Sequence, residues 1–283
     1  MPYTTLMSTA DLAARLGAPG LVIVDCRFDL KDTAAGQAAF AASHIPGAVY
    51  ANLDSDLSGP KSGSNGRHPL PAPAAFAVTL GRLGIGNDTQ VVAYDASSGM
   101  YASRLWWMLR WMGHDAVPVL DGGWPKWTSE ERPVTAGAPV VGAGTFVPHV
   151  RPEMLQTVAD VEAAAGRRLI DARSPERFRG ENETLDKAAG HIPGAVNRFF
   201  QDNVRADGTF KAPEELAAGW RDALGSAQPD EAICYCGSGV TACHNLLALE
   251  LAGIHGVKLY AGSWSEWSAD PGRPTETGGG DAR

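Results

Sequence analysis

Apolar positions along the chain gather into short continuous runs: LVIVDCR (21–27), VVAYD (91–95), RLIDAR (168–173) and AICYC (232–236). Runs of this length read as strands buried within a sheet. Between them lie windows of helical character. TADLAARL (9–16) sets Thr9 as an N-cap ahead of an apolar stripe. SRLWWMLRWMG (103–113) and HNLLALELAG (244–253) are apolar on more than one face and end at glycine, as buried helices do. Strands alternating with helices predict an α/β fold built on a parallel sheet with helices on both faces.

The pattern occurs twice. HIPGAV stands at 44–49 and again at 191–196. An apolar run ending in Asp-x-Arg precedes each copy, and a second apolar run with a long helical window follows. Each half closes on a glycine and tryptophan cluster, VLDGGWPKW (119–127) and LYAGSWSEW (259–267). The same features in the same order identify a duplicated domain. SEERPVTAGAPVVGAG (129–144), rich in Pro, Gly, Ala and Val, reads as extended connection. The expected division is an N-terminal domain over 1–130, a linker over 131–143 and a C-terminal domain over 144–283. The tail TETGGGDAR (275–283) reads as loose.

Composition narrows the function. The 283 residues carry a formal charge of −8, with 24 Lys and Arg spread along the chain, which argues against a nucleic-acid surface. No apolar run approaches the roughly 20 residues of a membrane span. The start, MPYTTLMSTADLAARL, has no basic flank before an apolar stretch, so a cytoplasmic location is expected. Cys26, Cys234, Cys236 and Cys243 form neither a C-x-x-C pair nor a zinc-like set with histidines, so reduced thiols and no metal are expected.

One cysteine is placed differently from the others. In ICYCGSGVTACHN (233–245), Cys236 closes a strand just before a helix begins. Ligands of parallel sheets bind at the carboxyl ends of strands, where loops meet helix N-termini. Gly237 and Gly239 let the backbone curl so that successive N–H groups converge on an anion, and the helix adds its positive end. A cysteine in that field is expected to react as a thiolate. The matching turn of the first copy, YDASSGMYASR, carries Asp95 instead, so the first copy reads as silent. A cysteine phosphatase would need an arginine where Ala242 stands. A cysteine hydrolase would need a histidine base, and His244 lies at least a helical turn beyond the loop.

These residues resemble the tandem rhodanese-type sulfurtransferases over nearly the whole chain. The resemblance rests on the duplicated HIPGA, the Asp-x-Arg strands, the Gly-Trp segments and above all CGSGVTA (236–242), whose wording is similar to that of 3-mercaptopyruvate sulfurtransferases. It implies two tandem rhodanese-like domains, with the second one catalytic. It also implies that Cys236 takes sulfane sulfur from 3-mercaptopyruvate or thiosulfate as a persulfide, held by the loop from Gly237 and Gly239 through Val240, Thr241 and Ala242. A thiol such as thioredoxin, or cyanide, then removes the sulfur, with no organic cofactor or metal. The two alternatives are a thiosulfate-preferring enzyme and a sulfur-relay protein with little small-molecule turnover.

The same resemblance implies supporting residues. Ser238 matches the serine two places after the cysteine, while His68 (in GRHPLP) and Asp54 (in ANLDSDL) match a histidine and an aspartate from the first domain. Together they would protonate the enolate left when sulfur departs. Arg177, in SPERFRG, matches an arginine that binds the donor's anionic group. Mercaptopyruvate enzymes commonly add a second arginine before the second HIPGA, but ENETLDKAAG (181–190) has none. Lys187 and Arg198 are the sequence's candidates to replace it. Asp171 and Arg173 are expected to brace the loop from below, as Asp25 and Arg27 would in the first copy. Cys26, Cys234 and Cys243 read as structural.

Overall fold

The computed structural model describes residues 2–139, 142–163 and 166–279. It forms two compact units. The first comprises Met1–Gly59, Leu70–Arg151 and Val204–Phe210; the second comprises Pro60–Pro69, Pro152–Asn203 and Lys211–Arg283. Each unit therefore takes in a short stretch from the other repeat, which the duplication pattern did not foretell.

In the first unit the elements are β1 (Leu6–Met7), α1 (Thr9–Ala13), β2 (Leu21–Asp25), α2 (Ala35–Ala42) and β3 (Ala48–Tyr50). There follow α3 (Pro73–Arg82), β4 (Gln90–Tyr94), α4 (Ala102–Trp111), β5 (Val119–Leu120) and α5 (Gly123–Ser129). All pairings are parallel, in the order β1-β5-β4-β2-β3. In the second unit they are β6 (Leu155–Gln156), α6 (Val158–Glu162), β7 (Arg168–Asp171), α7 (Pro175–Arg179) and β8 (Val196–Asn197). Then come α8 (Pro213–Leu224), β9 (Ala232–Tyr235), α9 (Thr241–Leu251), β10 (Lys258–Tyr260) and α10 (Ser263–Trp267). The order β6-β10-β9-β7-β8 repeats the first topology, as two copies of one α/β domain should.

The repeated motifs hold equivalent places. Asp25 receives Nε and Nη2 of Arg27, whose Nη2 also donates to Ser43 O at 2.7 Å while the guanidinium lies over Trp124. Asp171 and Arg173 repeat this, with Gly190 O as the backbone acceptor and Trp264 beneath the guanidinium. Each Asp-x-Arg thus ties a central strand to the HIPGA turn and the Gly-Trp segment. The HIPGA histidines stack on Phe40 and Phe178, each with Nδ1 against that phenylalanine's carbonyl. Trp127 sits in the first core with Leu12, Ile23, Val92 and Tyr94; Trp264 and Trp267 sit in the second with Ile233, Tyr235 and Tyr260.

Two local expectations need correction. Ser8, not Thr9, caps α1: its hydroxyl accepts the Asp11 N–H at 3.0 Å, while the Thr9 hydroxyl donates to Glu130 at 2.6 Å. The cap falls on the residue with extended backbone, where a side-chain oxygen can reach forward to N3. The tail is not loose through its described part. Glu276 exchanges both backbone hydrogen bonds with His191, and Gly278 N–H donates to Arg179 O; 280–283 lie outside the described residues. The stretch read as a linker includes 140 and 141, also outside the described residues, and within it Thr135 pairs with His44 as Glu276 does with His191. Among the described residues no helix is long and apolar enough to cross a membrane.

Candidate active site

In the second unit β9 ends at Tyr235 and α9 begins at Thr241, leaving Cys236 to Val240 as the turn. Gly239 adopts φ +76°, and a Cβ there would meet Ala261 O at 2.3 Å, so only glycine fits. The turn is clasped by the Gly-Trp segment. Cys236 N–H donates to Ser263 Oγ at 3.1 Å, Trp264 N–H to Cys236 O, and Ser265 N–H to Gly237 O, both at 2.9 Å. Ser263 takes φ +56°, a strained conformation for a residue with a side chain, held by its hydroxyl's bond to Tyr260 O. Ser263 was not foreseen; its signal in the sequence was a serine directly after Ala-Gly in the closing motif.

Cys236 is 2% exposed, and its Sγ accepts the Gly239 N–H at 3.1 Å. Cys243, two residues into α9, donates its thiol to Gly239 O at 3.2 Å and so braces the turn from behind. Burial pushes the thiols of Cys26 and Cys234 up, which keeps them inert.

The first unit shows what such a turn accommodates. Asp95 follows β4, and its carboxylate accepts four backbone N–H groups. Oδ1 takes those of Ser97 at 2.7 Å and Gly99 at 2.9 Å; Oδ2 takes those of Tyr101 at 2.7 Å and Ala102 at 2.8 Å. Burial pushes the Asp95 carboxyl above the usual carboxylate range even against these four donors. The turn is thus an acceptor-seeking nest in its own right, filled in one copy by an aspartate and presented in the other to a thiol.

Ser238 Oγ lies 2.8 Å from His68 Nδ1, with Ser238 6% and His68 4% exposed. His68 belongs to the 60–69 stretch of the second unit. Asp54 falls in the first unit, where its backbone N–H closes a turn on Asn52 Oδ1 at 2.8 Å. The second unit by itself therefore brings together Cys236, Ser238, His68 and Arg177. Arg177 meets Glu183 through Nε and Nη2 and reaches Asp186 Oδ2 at 3.1 Å. Burial pushes the Glu183 carboxyl up, but the Leu185 N–H and the Arg177 guanidinium outweigh it and hold the group below its usual range. For Asp186 burial wins, and the carboxyl is raised despite the neighbouring Arg67.

The loop residues have distinct places. Val240 ends the turn, Thr241 opens α9, and Ala242 is fully buried, so no clamp for a phosphoryl group stands there. Arg198 lies over Trp220 and pairs with Asp202 at 3.0 Å.

Comparison with known proteins agrees with this architecture. The chain matches the Rhodanese-like domain family twice, over residues 8–130 and 153–270. The chain belongs to the rhodanese family. Among rhodanese relatives, it is 46% identical over 283 residues to a Pseudomonas aeruginosa protein named "Probable 3-mercaptopyruvate sulfurtransferase", covering 98% of this chain and 100% of that one. It is 37% identical to the thiosulfate sulfurtransferase of Gallus gallus, over 92% of this chain and 90% of the relative. The solved structure of 3-mercaptopyruvate sulfurtransferase from Leishmania major superposes with a TM-score of 0.84 at 30% identity, covering 94% of this chain and 74% of that one.

Proposed function

We propose that the chain is a sulfurtransferase that carries sulfane sulfur on Cys236. The observation that supports this most is the Cys236 turn: a buried thiol accepting the Gly239 N–H in a nest whose other copy binds a carboxylate through four amides. Relatives of both donor types exist, so 3-mercaptopyruvate and thiosulfate are both candidate donors.

With 3-mercaptopyruvate, the Cys236 thiolate attacks the donor sulfur and forms an S–S bond. The donor's C–S bond breaks and its electron pair moves onto carbon as the enolate of pyruvate. Ser238, with His68 behind it, supplies a proton to that carbon, and Asp54 completes the proposed triad. With thiosulfate, the S–S bond breaks and sulfite leaves. An acceptor thiolate, thioredoxin among the candidates, or cyanide then attacks the outer sulfur, which restores the Cys236 thiolate and gives ping-pong kinetics. Loop amides from Gly237 to Ala242 hold the persulfide charge, and Arg177 binds the donor's anionic end. The domain over 1–130, whose turn is filled by Asp95, is silent; the domain over 144–283 is catalytic, with 131–143 joining them. The free thiols fit a reducing cytoplasm.

The test is mass spectrometry of the chain after exposure to each donor, with steady-state rates alongside. A gain of about 32 Da, one sulfur atom, on the unsubstituted chain and none on Cys236→Ser is expected. Turnover retained by Cys236→Ser would overturn the assignment. An adduct on Cys236 without turnover of either donor would favour a relay protein instead.

A further inference from the structure

The segment 181–190 has no arginine, yet a second guanidinium stands over the Cys236 turn. It comes from Arg67, one residue before His68. A Cβ on Gly237 would lie 2.7 Å from Arg67 Nη2 and 3.4 Å from each Nη of Arg177. Gly237 is therefore the place where two guanidinium groups descend on the loop, and the missing side chain makes room for them.

Both arginines converge on one carboxylate. Arg67 Nη1 pairs with Asp186 Oδ1, and Arg177 Nη2 takes Oδ2 at 3.1 Å. One oxygen for each guanidinium is the geometry of a planar carboxylate held between two forks. The remaining edges face the loop: Arg67 Nη2 and Arg177 Nη1 carry none of the bonds to Asp186 or Glu183. The arginine side chains are 27% and 20% exposed, while Asp186 and Glu183 are nearly covered, so an entering anion meets the cations first.

Arg67 is held in place from the same segment that clasps the nucleophile. Its N–H donates to Ser265 Oγ at 3.0 Å, and Ser265 N–H in turn donates to Gly237 O. Gly66 before it, at φ +86°, approaches Gly262 so closely that a Cβ would meet Gly262 O at 2.9 Å. The backbone on both sides of the Arg67 side chain is thereby fixed relative to Cys236.

We propose that Arg67 is a donor-binding, specificity-determining residue. With Arg177 it grips the carboxylate of an α-keto-acid thiol, the class of 3-mercaptopyruvate, and so replaces the arginine absent from 181–190. This rests on the sulfurtransferase reading above. Asp186 holds the pair of forks at carboxylate spacing, and the donor's carboxylate takes the two edges that face Gly237.

The test is steady-state kinetics of the full chain with 3-mercaptopyruvate and thiosulfate, comparing Arg67→Gln and Arg67→Lys with the unsubstituted protein. Loss of one charge-assisted pair is expected to raise the Arg67→Gln KM for 3-mercaptopyruvate about ten- to a hundredfold, with kcat within about threefold. The ratio of kcat/KM for 3-mercaptopyruvate over that for thiosulfate should fall at least about tenfold. Arg67→Lys keeps the charge but not the fork, and is expected to raise KM about three- to tenfold; it carries the test should the glutamine variant fold poorly. A KM within twofold in both variants would overturn the proposal. So would a loss confined to kcat, which would make Arg67 a prop for His68, or an equal loss with both donors, which would make it a general anion contact. No turnover by the unsubstituted chain with either donor would instead overturn the sulfurtransferase reading, and this one with it.

Discussion

Ser238 Oγ and His68 Nδ1 stand 2.8 Å apart, both buried, although 170 positions separate them in the chain. In the proposed mechanism this hydroxyl, two residues after the thiol and backed by an imidazole, moves a proton at the reacting centre rather than gripping a donor. Ser238→Ala is therefore expected to lower kcat with 3-mercaptopyruvate by about a hundredfold or more. KM should change little. Turnover within threefold of the unsubstituted chain would remove Ser238 from the proton path.

Gly239 answers for the shape of the turn. An alanine there must adopt a left-handed backbone and push against the Ala261 carbonyl, which lies 2.3 Å from its Cβ. Gly239→Ala should cost about 2 kcal/mol or more and displace the N–H that meets Cys236 Sγ. Both a lower melting temperature and slower persulfide formation are expected. A variant matching the parent in both would show that the turn tolerates a different path.

Asp95 supports a prediction about the first unit. In Asp95→Asn one oxygen becomes an NH2, which must face two backbone donors: those of Ser97 and Gly99, or those of Tyr101 and Ala102. Orphaning two buried N–H groups should cost about 3 kcal/mol. The melting temperature should drop accordingly, while the folded fraction keeps its donor turnover. Unchanged melting would mean that the four bonds contribute nothing to the fold.

Glu183 gives a pH dependence with a defined sign. Its carboxyl is held below the usual 4.5, so its contribution to stability is present above that value and is lost as pH falls through the folded-state value. Glu183→Gln should melt lower than the parent at pH 7, with the gap closing in acid. A gap that stays constant down to about pH 3 would contradict the ionised pairing with Arg177.

The duplication made much of this legible. HIPGA, Asp-x-Arg and the Gly-Trp clusters recur because each is one side of a three-way tie: Arg173 alone joins Asp171, Gly190 O and the face of Trp264. Cys236 stood out because its counterpart is Asp95. Arg67 was not legible, because its function depends on where the 60–69 stretch folds, and its partner Asp186 lies 119 positions away. Along the chain the cations in and just after 181–190 are Lys187 and Arg198, so the sequence offers these as candidates and gives no signal for Arg67. The tail misled for a similar reason: Glu276 and Gly278 are fixed by backbone bonds to His191 and Arg179, which composition does not encode.

The four amides around Asp95 also bear on how the first turn keeps its shape. Converging donors with nothing to serve are a liability in a buried turn. At the end of β4 an aspartate meets them permanently, using an oxygen pair already attached to the chain. The first turn then owes nothing to a bound ligand for its integrity. At the second turn the Gly239 N–H meets Cys236 Sγ instead, so that on the proposed reading the acceptor there is the sulfur itself.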